Sequence, residues 1–151
     1  MNISVLSDGG WGTALAMVLC ENKHAVTLWG PFPDYLAEMA RTRRNERFLK
    51  GVELPASLRF EPDLARACAG ADIVVLASPS QYMRGLLGKL AAVPRPAGLI
   101  YVNVAKGIET DSCKRMSELV AEHLGDVRYA ILSGPSPAEE VARRVPTAVM
   151  T

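Results

Sequence analysis

Three glycines within four residues follow the first apolar run of the chain, in the stretch Leu6-Ser7-Asp8-Gly9-Gly10-Trp11-Gly12. Set against the pattern G-x-G-x-x-G, Ser7, Gly9 and Gly12 take the three glycine positions. In that pattern the middle glycine lets backbone approach a pyrophosphate, and the third lets a helix pack closely on a strand. A helix opening at such a turn adds free N–H groups and the positive end of its dipole. The chemistry on offer is capture of a dinucleotide, with Gly9 and Gly12 at the two glycine positions that the pattern keeps. Ser7 departs from the glycine that makes the tight turn, and Gly10 adds local freedom. Asp8 sets a carboxylate close to where phosphates would lie. A glycine-rich turn can also be purely structural. Its position between an N-terminal strand and an apolar helix favours binding.

Two further places carry candidate chemistry. Lys106 lies just past the end of an apolar run, where ligands bind in open α/β sheets. Its ammonium could hold the oxygens of a substrate beside the cofactor; the plain alternative is a solvated loop lysine. Ser136-Pro137-Ala138-Glu139 has the pattern of a capping box, with Ser136 as N-cap and proline at the first helical position. A helix start of this kind also receives an anion or a polar substrate. Trp11 is expected to be partly exposed beside the pyrophosphate.

The end of the second strand reads Trp29-Gly30-Pro31-Phe32-Pro33. An acid there would bond the ribose 2′-hydroxyl of NAD, and an Arg would accommodate the 2′-phosphate of NADP. Neither is present, so the cofactor is NAD or NADP with weak discrimination between them. Arg41, Arg43 and Arg44 read as a solvated helix face. Cys20, Cys68 and Cys113 form no CxxC pair, and His24 and His123 fall in no ligand spacing, so no metal is expected.

The elements that must position these residues alternate strictly. Strands are expected at Asn2–Leu6, Ala25–Trp29, Leu58–Phe60, Asp72–Ala77, Gly98–Val104 and Tyr129–Leu132, with another beginning at Thr147–Met150. Helices are expected over Gly12–Glu21, over Asp34–Arg43 with Asp34 as cap, and over Asp63–Ala69. Others open at Ser78-Pro79, at Asp111 or Ser112 (running to His123 and closed by Gly125), and at Ser136. Arg44–Pro55 reads as a loop. Such alternation implies right-handed crossovers and a doubly wound, mostly parallel α/β sheet, Rossmann-like, in a single domain over residues 1–151. The glycine turn, Ser78–Gln81, Lys106 and Gly134–Ser136 should then share one sheet edge.

Composition is that of an ordinary globular domain, with 49% apolar and 22% charged residues. A net charge of +1 offers no field for nucleic acid or an anionic membrane. The N-terminus has no secretory signal pattern and no stretch suits a bilayer, so a cytoplasmic protein is expected. The last residues fall inside an apparent strand, and the chain is expected to be a fragment.

Three segments narrow the reading: Gly10-Trp11-Gly12-Thr13-Ala14-Leu15-Ala16, Val104-Ala105-Lys106-Gly107-Ile108-Glu109, and Leu132-Ser133-Gly134-Pro135-Ser136. In this order they resemble the bacterial NAD(P)-dependent glycerol-3-phosphate dehydrogenases. The likeness extends through His24–Trp29 and Pro79–Gln81. It implies cofactor contacts at Gly10, Trp11 and Ala138, and at Phe48, where the family often has Tyr. It implies that Lys106 touches both cofactor and substrate, and that Gly134 and Ser136 touch substrate. Departures are Ser7 for the first glycine, Gly30-Pro31 where many members carry a cofactor-binding Arg, and Pro137 where many have Phe.

The implied reaction interconverts dihydroxyacetone phosphate and sn-glycerol 3-phosphate, feeding glycerophospholipid synthesis. The family's base lysine belongs to a C-terminal helical domain absent from this chain. The full-length protein would be a homodimer with a small-molecule substrate and neither nucleic-acid nor membrane partners. Two alternatives are a stand-alone dinucleotide-binding module, and another two-domain dehydrogenase such as a 3-hydroxyacid or ketopantoate reductase. Lys106–Glu109 followed by Gly134–Ser136 speaks against the latter.

Overall fold

A computed structural model describes residues 1–96 and 98–151. Its first strand, β1 (Asn2–Leu6), runs into α1 (Gly10–Glu21) and then β2 (Ala25–Trp29) and α2 (Pro33–Thr42). A small hairpin of β3 (Arg44–Asn45) and β4 (Leu49–Glu53) follows, then β5 (Arg59–Phe60) and α3 (Leu64–Cys68). The second half contains β6 (Ile73–Leu76), α4 (Ser80–Ala91), β7 (Ile100–Asn103), α5 (Met116–Leu124), β8 (Arg128–Ile131) and α6 (Ala138–Ala142).

Six strands form one sheet in the order β5-β2-β1-β6-β7-β8, every neighbouring pair parallel. The chain winds outward from β1 in both directions, so the strand order reverses between β1 and β6. The crevice at the carboxyl ends of those strands is where ligands bind in open α/β sheets.

The apolar runs are continuous because both sheet faces are covered. Ile3, Val5 and Val75 enter one core with Ala14, Met17, Leu36 and Met39. Leu6, Val74, Leu76 and Tyr101 enter the other with Met83, Leu87 and Leu119. The alternation of side chains along each strand divides one run between two layers.

Several boundaries differ from the sequence expectation. α1 begins at Gly10 rather than Gly12. α2 begins at Pro33, whose fixed φ suits a first helical position, so Asp34 lies in the first turn and does not cap. Pro79 and Pro137 precede α4 and α6 in extended geometry, with ψ of 146° and 137°. Both helices therefore start one residue later than expected, and neither Ser78 nor Ser136 caps. Ser136 Oγ instead lies 3.4 Å from the carbonyl of Gly134.

α5 begins at Met116, not at Asp111 or Ser112. The preceding segment is closed by a bridge between Ile108 and Arg115, and Glu118 accepts the Arg115 N–H at 2.9 Å. Arg44–Pro55 is not a plain loop, since it holds the β3–β4 hairpin. The strand expected at Thr147–Met150 is reduced to one antiparallel bridge, Ser133 to Met150.

Candidate dinucleotide and substrate site

The glycine turn joins β1 to α1 with little slack. Ser7 Oγ accepts the Gly9 N–H at 3.1 Å, so a hydroxyl closes the turn where the pattern has glycine. The first helical hydrogen bond runs from Thr13 N–H to the Gly9 carbonyl. The amides of Gly10, Trp11 and Gly12 precede it and have no intrahelical acceptor. Those groups suit a pyrophosphate. A Cβ on Gly12 would lie 2.5 Å from the Ser7 carbonyl oxygen and 3.2 Å from Ala77 Cβ. Gly12 thus permits close helix–strand packing, as the third glycine of the pattern should.

Gly10 brings two distant candidates together. A Cβ there would stand 2.4 Å from the Phe48 carbonyl oxygen and 3.7 Å from Ala138 Cβ. Phe48 is exposed, and its ring meets Tyr35 edge-on at 6.1 Å. Holding Phe48 there is the work of Asn45, which is fully buried. Asn45 Nδ2 donates to the Asp8 carbonyl and to Thr13 Oγ1, each at 2.8 Å. Its Oδ1 accepts from Tyr35 O–H at 2.7 Å and from Phe48 N–H at 3.0 Å. Sequence reasoning passed over Asn45 because nothing local marks it; all but one of its partners lie ten or more residues away.

Trp11 is partly exposed and spans two strand ends, its Nε1 donating to the Val104 carbonyl at 3.2 Å. Lys106 is exposed, with Nζ 5.8 Å from the centre of the Trp11 ring. Asn103 stiffens the same turn, donating to the Ala105 carbonyl at 3.1 Å.

Beyond Lys106 the chain is clamped onto α4. Gln81 donates to the Ile108 carbonyl and accepts the Thr110 N–H, both at 3.1 Å. Arg84 holds both oxygens of Glu109, at 2.7 and 2.8 Å. That guanidinium, with Ser112 O–H, pulls the Glu109 carboxyl down to about 2. Arg84 also reaches Glu122 at 2.7 Å, as does Lys114. The sequence suggests a capping box of Ser78 with Gln81, which the structure does not form; Gln81 is spent on Ile108 and Thr110 instead, and neither this clamp nor that of Arg84 was legible.

Gly134 and Ser136 follow β8 as Lys106 follows β7, so they occupy the same sheet edge. Gly134 has φ of +145°, and a Cβ there would strike the Ala148 carbonyl oxygen at 2.5 Å. Ser136 is buried. Arg43, read from the sequence as part of a solvated helix face, is instead partly buried and committed to a neighbouring loop. Its guanidinium donates to the carbonyls of Pro55 at 2.6 Å and Leu58 at 3.2 Å, and lies over the Phe60 ring.

The glycine turn, the α4 start, Lys106 and Gly134–Ser136 thus all follow carboxyl ends of parallel strands. A sequence profile for the N-terminus of NAD-dependent glycerol-3-phosphate dehydrogenase matches residues 2–151. The chain belongs to this family. Glycerol-3-phosphate dehydrogenase [NAD(P)+] of Syntrophomonas wolfei is 46% identical over 150 residues, covering 97% of this chain and 43% of the relative. That of Geobacter metallireducens is 46% identical over 151 residues, covering 98% and 45%.

The crystal structure of glycerol-3-phosphate dehydrogenase from Coxiella burnetii superposes with a TM-score of 0.91 at 34% identity, over 98% of this chain and 45% of that one. The chain therefore spans less than half the length of these glycerol-3-phosphate dehydrogenases. Membership accounts for the doubly wound sheet and for the dinucleotide turn at its switch point. The free α1 amides and the bare backbone at Gly9 fit the pyrophosphate of NAD or NADP.

Proposed function

We propose that this chain holds the cofactor in an enzyme that interconverts dihydroxyacetone phosphate and sn-glycerol 3-phosphate with NAD(P)H. When bound, the nicotinamide supplies or accepts the hydride; the protein orients it and manages charge and protons. Gly9, Gly10, Trp11 and Gly12 receive the pyrophosphate, with Phe48 and Ala138 walling the same turn. Lys106 reaches both cofactor and substrate, neutralising substrate oxygen. Gly134 and Ser136 contact the substrate from the neighbouring strand end. The base that takes the hydroxyl proton is a lysine of the helical domain that the family carries after this one. The setting is cytoplasmic glycerophospholipid synthesis, in a homodimer of the two-domain protein.

The observation that carries this reading is the Trp11–Lys106 pair, 5.8 Å apart, beside the free amides of α1. It joins an anion-binding turn to a cation that can neutralise the oxygen borne by the carbon to which hydride is transferred. The test is a nucleotide titration and a dihydroxyacetone phosphate reduction assay on the same purified 151-residue chain. Binding without turnover is the expected result. Binding should be weak, because the cofactor's walls from the second domain are missing and apolar surface is left bare. Clear reduction, in preparations free of host enzyme, would overturn this division of labour.

A further inference from the structure

The ends of β1 and β2 stand side by side, with Leu6 in register with Trp29. Asp8 lies two residues past one strand and Gly30 one residue past the other. A Cβ built on Gly30 would lie 2.6 Å from both Cγ and Oδ2 of Asp8, and 2.9 Å from its Cβ. The Asp8 side chain therefore fills the space that a side chain at the end of β2 would occupy. Gly30 is buried, and Asp8 is only 4% exposed. Oδ2 is enclosed and accepts no hydrogen bond among the described residues.

The groups around this carboxylate do not satisfy it. Arg47 acts on it through space, but its guanidinium is stacked over the Tyr35 ring at 4.2 Å. The Tyr35 hydroxyl is spent on Asn45. Burial raises the Asp8 carboxyl above its ordinary range, against the smaller pulls of its own N–H and of Arg47. A buried acceptor without a donor is costly, and a structure that keeps one has a use for it.

In dinucleotide-binding sheets the acid that accepts a ribose hydroxyl comes from the end of the second strand. Here that strand ends in a glycine, and the carboxylate reaches the same place from the first turn. We infer that Asp8 is the acceptor for the adenosine ribose hydroxyl and that it selects NAD over NADP. A 2′-hydroxyl donates a hydrogen bond to it. A 2′-phosphate brings negative charge against a carboxylate and has no proton to give. A dinucleotide seated on the glycine turn would bring its ribose to this end of β2, with Asp8 as the acid at hand. The inference rests on the cofactor-binding reading above and replaces the weak discrimination expected from the bare end of β2.

The test is the affinity of the wild-type chain, Asp8→Asn and Asp8→Ala for NADH and NADPH at one ionic strength, with a thermal melt of each. The wild type should bind NADH at least about tenfold more tightly, a difference of about 1.4 kcal/mol. Both variants should bring the two affinities to within about threefold, chiefly by tightening NADPH. Both should melt no lower than wild type without cofactor, since an unpaired buried charge is gone. Equal wild-type affinities, or a preference unchanged in a folded Asp8→Ala protein, would overturn the assignment alone. So would a wild-type preference for NADPH that disappears in Arg47→Ala, which would give the subsite to Arg47. A wild-type chain that binds neither nucleotide would instead remove the cofactor reading itself.

Discussion

Lys106 owes its place to neighbours more than to its own contacts. Its side chain is exposed, while Asn103 and the Trp11 indole fix the turn from which it projects. Substitution should therefore separate function from stability. In protein that contains both domains, Lys106→Ala is expected to lower turnover at least about a hundredfold, the loss of a charge–charge contact made in the transition state. The melting transition should stay within about 0.5 kcal/mol of wild type, as for other exposed positions. Steady-state kinetics and a melt of the same preparation check both. Unchanged kinetics would return Lys106 to the role of a solvated loop residue.

At the scale of elements, the β3–β4 hairpin belongs to the glycine turn although 37 residues separate Asn45 from Asp8. The buried Asn45 amide satisfies the Asp8 carbonyl, Thr13, Tyr35 and Phe48 together, so α1, α2 and the hairpin share one side chain. Asn45→Ala should leave several of these groups unpaired and cost about 2–4 kcal/mol. It should also weaken nucleotide binding in the chain that remains folded, because Phe48 is no longer held over Gly10. Denaturant unfolding and a nucleotide titration at low temperature read the two effects. Asn45→Asp, which keeps the acceptor but loses the donor, should fall between.

At the scale of the whole molecule, the carboxylates bound by Arg84 and the carboxylate of Asp8 act on pH-dependent stability with opposite signs. Glu109 and Glu122 are held at about 2 by Arg84, joined by Ser112 and Lys114 respectively. Their folded values lie below the unfolded one, so their contribution is present above an unfolded value of 4.5 and is lost as pH falls through about 2. Asp8 has the opposite sign. Its folded value is raised, so its contribution is fully present below the unfolded value of 3.8 and is lost as pH rises through the folded one. Urea unfolding of wild type and Asp8→Asn should therefore agree at about pH 3 and diverge toward pH 7, with the variant more stable. A difference that is flat across that range would show that Asp8 is not desolvated.

The helical faces, the apolar runs and the glycine turn were legible because they are local: periodicity, punctuating glycines and prolines, and the order of the segments. Those features determine a doubly wound parallel sheet, and the parallel sheet alone brings Gly9–Gly12, Ser78–Gln81, Lys106 and Gly134–Ser136 to one edge. No membrane-spanning helix occurs among the described residues, in keeping with the sequence pattern. The starts of α4 and α6 were misplaced by one residue because an X-Pro pair fits either side of a cap, and that of α5 by several because the Ile108–Arg115 bridge closes the segment before it. The Asn45 pin, the Arg84 clamp, Gly10 against Phe48 and Ala138, and Asp8 across Gly30 were decided by tertiary structure. Each depends on groups from different strands or helices meeting within a few ångströms, and spacing along one chain carries no record of such a meeting.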